Sequence, residues 1–409
     1  MSGLSIAPYF PFARMKVVDQ QTHLELEKAG AIIRLEPDRR FHPLCRECGE
    51  PAQAHAQGLR RFIRDLTVGP AQTFLHVEYR RVWCPACRQA KVERLSFADP
   101  GKRITHRLAR YVYELCKVMT IEDVARHLDL NPKTVKAVDK HFLQREFGQT
   151  DCETLRIVAI DEIAVRKGHH YMTVVLDYVS GRVVWMGEGR SQETLDGFFA
   201  EMSDERKQAI QAVAMDMWEP FINRVRHHCP EAKIVFDLFH LVQGFGRVID
   251  EVRRDEYRKA NQPGREVIKG SRYLLLKNVA NLKDDQRADL KDLLAVNATL
   301  AAVHALKDQL KEIYDYSRRG WAKKALDAWC DMASQIDHPE VKRFIGRLRF
   351  FEYGILNHCD FPIGTSKLEG VNNKIKVIKR RAYGYHDPEY FALKVKQAFP
   401  GKSLPNFSG

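Results

Sequence analysis

Three acids in this 409-residue chain stand where regular elements should end or begin, and acids so placed can hold a cation. The run RIVAIDEIAV (Arg156 to Val165) is β-branched and apolar up to Asp161, with Glu162 next. A charge there belongs at the edge of a sheet, where it either caps a turn or binds metal. IQAVAMD reads as a strand ending on Asp216, and SKLEGVNNKIKVIKRR as a helix beginning near Ser366 with Glu369 in its first turn. Mg²⁺ (or Mn²⁺) needs few carboxylates when phosphate oxygens complete its shell. Two such ions about 3.5–4 Å apart clamp the attacking and leaving oxygens of a displacement at phosphorus. Asp161, Asp216 and Glu369 are the expected ligands of that pair. Each also has a plainer use: Asp216 as a helix cap, Glu369 as a first-turn acid favoured by the helix dipole. Lys374, Lys376, Lys379, Arg380 and Arg381 follow Glu369 and would hold a DNA backbone beside the metals.

A second constellation is made of thiols. Cys45-x2-Cys48 and Cys84-x2-Cys87 are two knuckles that can aim four sulfurs at one structural Zn²⁺. A redox dithiol is the weaker reading, because no thioredoxin-like strand and helix surround either pair. His42 and His55 could replace a cysteine, but four thiolates suffice. Between the knuckles, LRRFIRDL and TFLHVEYRRVW alternate as strands and carry a basic face that includes Arg80 and Arg81. Nine cysteines, an odd number, favour reduced thiols over a disulfide framework.

The elements that must position these groups change character along the chain. Residues 1–39 give no clear period and read as a lead-in, with a strand in Gly30 to Leu35. Residues 40–100 read as the zinc ribbon and 101–150 as a helix-turn-helix. Here Ile121 to Leu128 forms one helix, and Asn131 caps a second that opens with Pro132. Val124, Ala125, Leu128, Leu130, Val135 and Val138 would join the two, leaving Lys133, Thr134, Lys136 and Lys140 to face a major groove. A plain helical hairpin is the alternative.

Residues 151–260 switch to three hairpin strands, the last two joined at Ser180-Gly181. A helix, a strand to Asp216, a second helix and a strand to Asp237 follow. That order predicts a ribonuclease-H-like sheet with the first and fourth strands adjacent, so that Asp161 and Asp216 emerge as neighbours. Residues 261–361 read as a helical insertion whose charges alternate as on a solvated face. Residues 362–409 hold the last acid and a basic tail. The fold class is multidomain α+β.

Charge follows function in this reading. The net charge is +13, but residues 151–250 carry 11 Lys and Arg against 16 Asp and Glu, whereas residues 1–150 carry 25 against 17 and residues 361–409 carry 9 against 3. Basic flanks around an acidic centre suit a polyanion gripped broadly and cut at metal. No run of eighteen apolar residues and no signal sequence is visible, so a cytoplasmic, nucleoid-associated protein without membrane partners is expected.

The run TSKLEGVNNKIKVIKRRAYGY, with AIDEIAVRKGHHY, AMDMWEPF and FDLFHLV, resembles insertion-sequence transposases of the ISL-three family over nearly the whole chain. The resemblance implies an Asp-Asp-Glu transposase whose acids are Asp161, Asp216 and Glu369. It also implies a supporting Asp-x-x-His motif at Asp237 and His240. Two departures matter. Arg88 follows Cys87 where such knuckles often have glycine, and a different register would make Asp237 the second metal ligand. The activity implied is binding of terminal inverted repeats, strand cleavage and strand transfer into target DNA, by a homo-oligomer of at least two chains. A transposase-derived regulator without catalysis and a stand-alone nuclease are the rivals.

Overall fold

A computed structural model describes residues 5–23, 30–69, 71–166, 170–363 and 366–401, so Lys167 to His169, Gly364, Thr365 and the last eight residues of the expected basic tail lie outside the described residues. The chain divides into two compact units, Met1–Phe142 and Leu143–Gly409.

The first unit is built on one sheet of β1 (Met15–His23), β2 (Gly30–Pro37), β3 (Gln53–Val68), β4 (Ala71–Cys84) and β5 (Gln89–Val92). Its order is β1-β2-β4-β3, with β5 on β4. The stretch read as a lead-in therefore supplies two strands. Ala31, Ile33 and Leu35 alternate inward, and Ile33 and Leu35 meet Ile63, Leu75 and Val77 in the core. β1 escapes sequence reading because it is an edge strand in which none of residues 15–22 is buried, so nothing selects an apolar alternation in Lys16-Val17-Val18-Asp19-Gln20.

Three helices follow: α1 (His106–Cys116), α2 (Ile121–Leu128) and α3 (Pro132–Phe147). The Thr120 hydroxyl accepts from the Asp123 N–H at 3.2 Å and so starts α2. Asp129 turns the chain with φ 52°, in the left-handed region, and the Leu130 N–H closes on the Ala125 carbonyl at 2.9 Å. The Asn131 side chain then accepts from the Lys133 N–H at 2.8 Å and starts α3. All six apolar residues expected to join the two helices lie in one cluster, together with Leu108, Val112 and Cys116 of α1.

The second unit centres on β6 (Ile157–Arg166), β7 (His170–Asp177), β8 (Arg182–Glu188), β9 (Ala212–Met215) and β10 (Lys233–Phe236), in the order β10-β9-β6-β7-β8. β6, β7 and β8 form an antiparallel meander, and β9 and β10 add in parallel to β6. At the expected turn Gly181 takes φ 75°, a conformation that glycine adopts without steric cost.

The first strand thus lies beside the fourth, and alternation assigns the faces. Val158 and Ile160 pack with α4 (Gln192–Ala200) and α6 (Glu219–His228); between these two, α5 (Asp204–Gln208) buries nothing. The same core continues into a helical region of α7 (Leu238–Lys259), α8 (Gln262–Ile268), α9 (Arg272–Leu276), α10 (Asp284–Val296), α11 (Ala298–Glu312), α12 (Arg319–Ser334), α13 (Pro339–Phe350) and α14 (Glu352–Leu356). Ala159 and Ile163 point to the other face, which is covered by α15 (Ser366–Arg381) and α16 (Pro388–Ala398). Leu368, Val371 and Ile375 form the helical stripe that seats α15 there. No helix among the described residues is long and apolar enough to cross a membrane.

Candidate active site and metal centres

Register brings the acids to one row. Ala159 stands opposite Ala214, and two residues further along each strand come Asp161 and Asp216. Met215 stands opposite Phe236, and one residue further come Asp216 and Asp237. Asp216 and Asp237 follow directly on the carboxyl ends of parallel strands, whereas Asp161 stands inside β6, which runs on to Arg166 paired with β7, so the strand does not end at Asp161 as expected. Of the three, Asp161 and Asp216 close up, joined by His240 of α7, with a ligand atom of each within 4.8 Å of the others. Asp237 lies one strand farther from Asp161, and its Oδ1 accepts from the Phe239 N–H at 2.6 Å as the cap of α7. Its Oδ2 lies 3.4 Å from His240 Nδ1, which also pairs with Asp216.

Odd positions of β6 face α15, so Asp161 points toward that helix. Its Oδ1 accepts from the Glu162 N–H at 2.7 Å, and its Oδ2 accepts from the Asn372 side-chain amide. Asn372 is a residue the sequence reading missed. The available signal was its spacing, three residues after Glu369 and therefore on the same helical face. Glu369 itself is exposed and does not belong to the 4.8 Å group. The structure brings together two of the three expected acids, and the helix of the third touches the first through Asn372.

The electrostatics of this corner favour a cation. Burial and the neighbouring Asp216 charge raise the pKa of Asp161. Burial, then Asp216 and Asp161, push Glu162 up to about 7. Burial works against a charged His240, but the Asp216 and Asp237 carboxylates outweigh it and raise its pKa to about 10. Carboxylates crowded out of water attract positive charge, which His240 partly supplies, and Asp161 and Asp216 offer oxygens that fit a hard divalent ion. Beside them Arg190 lies between the rings of Tyr171 and Trp218, at 4.4 and 5.5 Å, and its charge opposes the rise at Glu162.

Among the described residues, the four cysteines of the first unit form the other group of ligand atoms within 4.8 Å. Cys45 and Cys87 sulfurs are 4.0 Å apart and those of Cys48 and Cys84 3.5 Å apart. A tetrahedral zinc with bonds of about 2.3 Å needs sulfurs about 3.8 Å apart, so the quartet fits that ion. Burial opposes ionisation of Cys45, but the N–H groups of Cys48 and Glu47 outweigh it and bring the thiol down to about 7. The Cys48 and Cys84 thiols push Cys87 up to about 12. Arg88 adopts φ 51°, the backbone a glycine would supply, which is how the knuckle closes without one.

The expected DNA-facing side chains differ in exposure. Lys133, Arg81, Lys376, Arg380 and Arg381 are exposed, and Thr134, Lys136, Lys140 and Lys379 are half-buried. Arg80 does not belong to the expected basic ribbon face, because it is buried and paired with Glu93 at 2.7 Å. Lys374 donates to the Ala398 carbonyl at 2.6 Å and ties α15 to the end of α16.

A three-helix module with a capped second and third helix thus stands in one chain with a cluster of acids on a central sheet. A transposase family model matches residues 158–395, and the helix-turn-helix domain of transposase family ISL3 matches residues 93–143. The transposase for insertion sequence element IS1001 of Bordetella parapertussis is 42% identical over 364 residues, 88% of this chain and 89% of that protein. The transposase for IS1557 of Mycobacterium tuberculosis (strain ATCC 25618 / H37Rv) is 27% identical over 408 residues, 91% and 90% of the two chains. The chain belongs to the ISL3 transposases: it is a DNA transposase with a helix-turn-helix DNA-binding region.

Proposed function

We propose that this transposase is of the Asp-Asp-Glu type, with a ribonuclease-H-like core in which Asp161, Asp216 and Glu369 hold two Mg²⁺ or Mn²⁺ ions. When bound, such a pair stabilises both the attacking and the leaving oxygen of an in-line displacement at phosphorus. Asp161 is oriented by Asn372, and Asp216 is paired with His240, whose charge is balanced in turn by Asp237. Glu369 joins from α15, and the exposed cations later on that helix hold the DNA backbone. The observation that carries this reading is the convergence of Asp161 and Asp216 from neighbouring parallel strands.

Residues 40–147 bind the terminal inverted repeats, with the cysteine quartet around a structural Zn²⁺. At each end hydrolysis breaks the 3′ oxygen–phosphorus bond, leaving a 3′ hydroxyl. That hydroxyl then attacks a target phosphate, displacing a target 3′ oxygen as its own proton leaves to solvent. Two ends must be held together, so the working form on DNA is a dimer or larger, acting in the cytoplasm on nucleoid DNA. Changing Glu369 to Ala tests the assignment: end cleavage should disappear while end binding persists. Mg²⁺-dependent cleavage by that variant would sink it. The same assay on the parent chain decides against a non-catalytic regulator.

A further inference from the structure

A groove of about 1050 Å³ in the first unit runs between the edge strand β3, residues 92–106 and the turn that joins α2 to α3. Its walls are rich in cations. Arg61, Arg94, Lys102 and Arg103 line it, and among the described residues no carboxylate forms an ion pair with any of them. Of the acids in the same walls, Asp129 accepts from the Gln72 amide at 3.0 Å and its charge acts on Arg64, and three others are engaged in pairs. Glu93 pairs with Arg80 at 2.7 Å, Glu47 with Arg46 at 3.0 Å and Asp99 with His106 at 3.0 Å.

Arg64 adds an independent observation. It lines the groove at 7% exposure, with its guanidinium 4.9 Å from the Phe74 ring centre. One nitrogen, Nη2, donates to the Leu128 carbonyl at the end of α2 at 3.4 Å, whereas Nη1 and the Nε of Arg61 have no acceptor among the described residues. Burial lowers the pKa of both arginines, as expected of guanidinium groups taken out of water without enough acid nearby. A buried N–H left unpaired is costly, and a ligand with several strong acceptor oxygens would relieve it. Guanidinium forks match phosphate in that way. Thr134, in the first turn of α3, stands in the same wall.

We propose that this groove is a second DNA contact, which takes successive phosphates of the strand flanking the site read by α3 and so sets the helix pair on the duplex without reading bases. The inference rests on the helix-turn-helix being the DNA-reading element, and the test separates the two. Binding of the full-length chain to a duplex of its element's terminal inverted repeat, and to a random duplex of the same length, is measured across a salt series. Arg94, Lys102 and Arg103 are exposed, so an R94A/K102A/R103A variant should keep its fold, checked by an unchanged melting profile.

The slope of log K against log salt should become shallower by about 0.9 for each phosphate no longer neutralised, up to ~2.7 for three. Both duplexes should weaken by the same factor, leaving end preference intact. A slope equal to that of the parent, or a loss of end preference in the triple variant, overturns the groove. K133A/K136A should instead lower end preference, and its failure to do so counts against α3 as the reader whatever the triple variant shows. Methylphosphonates placed singly in the flanking strand locate the phosphates that the groove takes. Positions that weaken the parent should leave the triple variant unaffected, and equal losses in both contradict the proposal.

Discussion

The cysteine quartet and the acid corner are both places for metal, yet they are assembled in opposite ways. The quartet draws on two knuckles that a single pair of long antiparallel strands, β3 and β4, brings together. Each knuckle is complete within four residues, so spacing alone announces it. The acid corner draws on a strand at Asp161, another at Asp216, a helix at His240 and a helix at Asn372. No local pattern defines it, and it exists because sheet register and two helix dockings agree. The first site should therefore fail by local unfolding, and the second by loss of chemistry on an intact fold.

Substitutions can sharpen that contrast. The largest effect is expected from Asp161→Asn, which removes a ligand and keeps the shape. End cleavage should fall by ~10³-fold or more while end binding and melting stay near the parent values. A modest loss would mean that the corner tolerates one carboxylate fewer. Cys84→Ser should remove the zinc and the fold of its ribbon together, a loss of several kcal/mol. Elemental analysis should read one zinc in the parent and none in the variant, and an unchanged melting profile would contradict the claim.

Asn372→Ala should act through Asp161 and leave the fold in place. We expect cleavage or metal affinity to drop ~10–100-fold, with the Mg²⁺ concentration for half-maximal rate raised. Asn372→Gln should restore part of it, and an unaltered Mg²⁺ dependence in the Ala variant would rule out a positioning role. The smallest effect is at Arg88, held in a left-handed conformation. Arg88→Gly should stabilise the knuckle by ~1 kcal/mol, read as a higher melting temperature of the zinc-loaded chain.

Legibility in the sequence divides along the same line. The two knuckles, the cap at Asn131 and the turn at Gly181 could all be read, because each is determined by a few adjacent residues. The strands leading to Asp161, Asp216 and Asp237 were visible too, and their order set Asp216 beside Asp161, with Asp237 as the alternative second ligand; that β6 runs on past Asp161 was not visible. The pairing follows from the backbone: Asp216 stands next to Asp161, whereas Asp237 lies one strand farther and turns to cap α7.

Charges gave the least reliable signal, because a cation looks the same in sequence whether solvated or enclosed. Arg80 proved to be a buried partner of Glu93. Lys307, in a segment read as a solvated helical face, is 2% exposed and donates to the carbonyls of Leu275 and Lys277 at 2.7 and 2.9 Å. Burial lowers its pKa.

The central claim is that Glu369 completes a divalent-ion site with Asp161 and Asp216 when DNA is bound. Replacing Mg²⁺ by Fe²⁺ in the complex with end DNA, and adding ascorbate and peroxide, cuts the polypeptide next to the bound iron. The account predicts fragments ending near residues 161, 216 and 369, all suppressed by excess Mg²⁺. Cuts near 161 and 216 without any near 369 would contradict it.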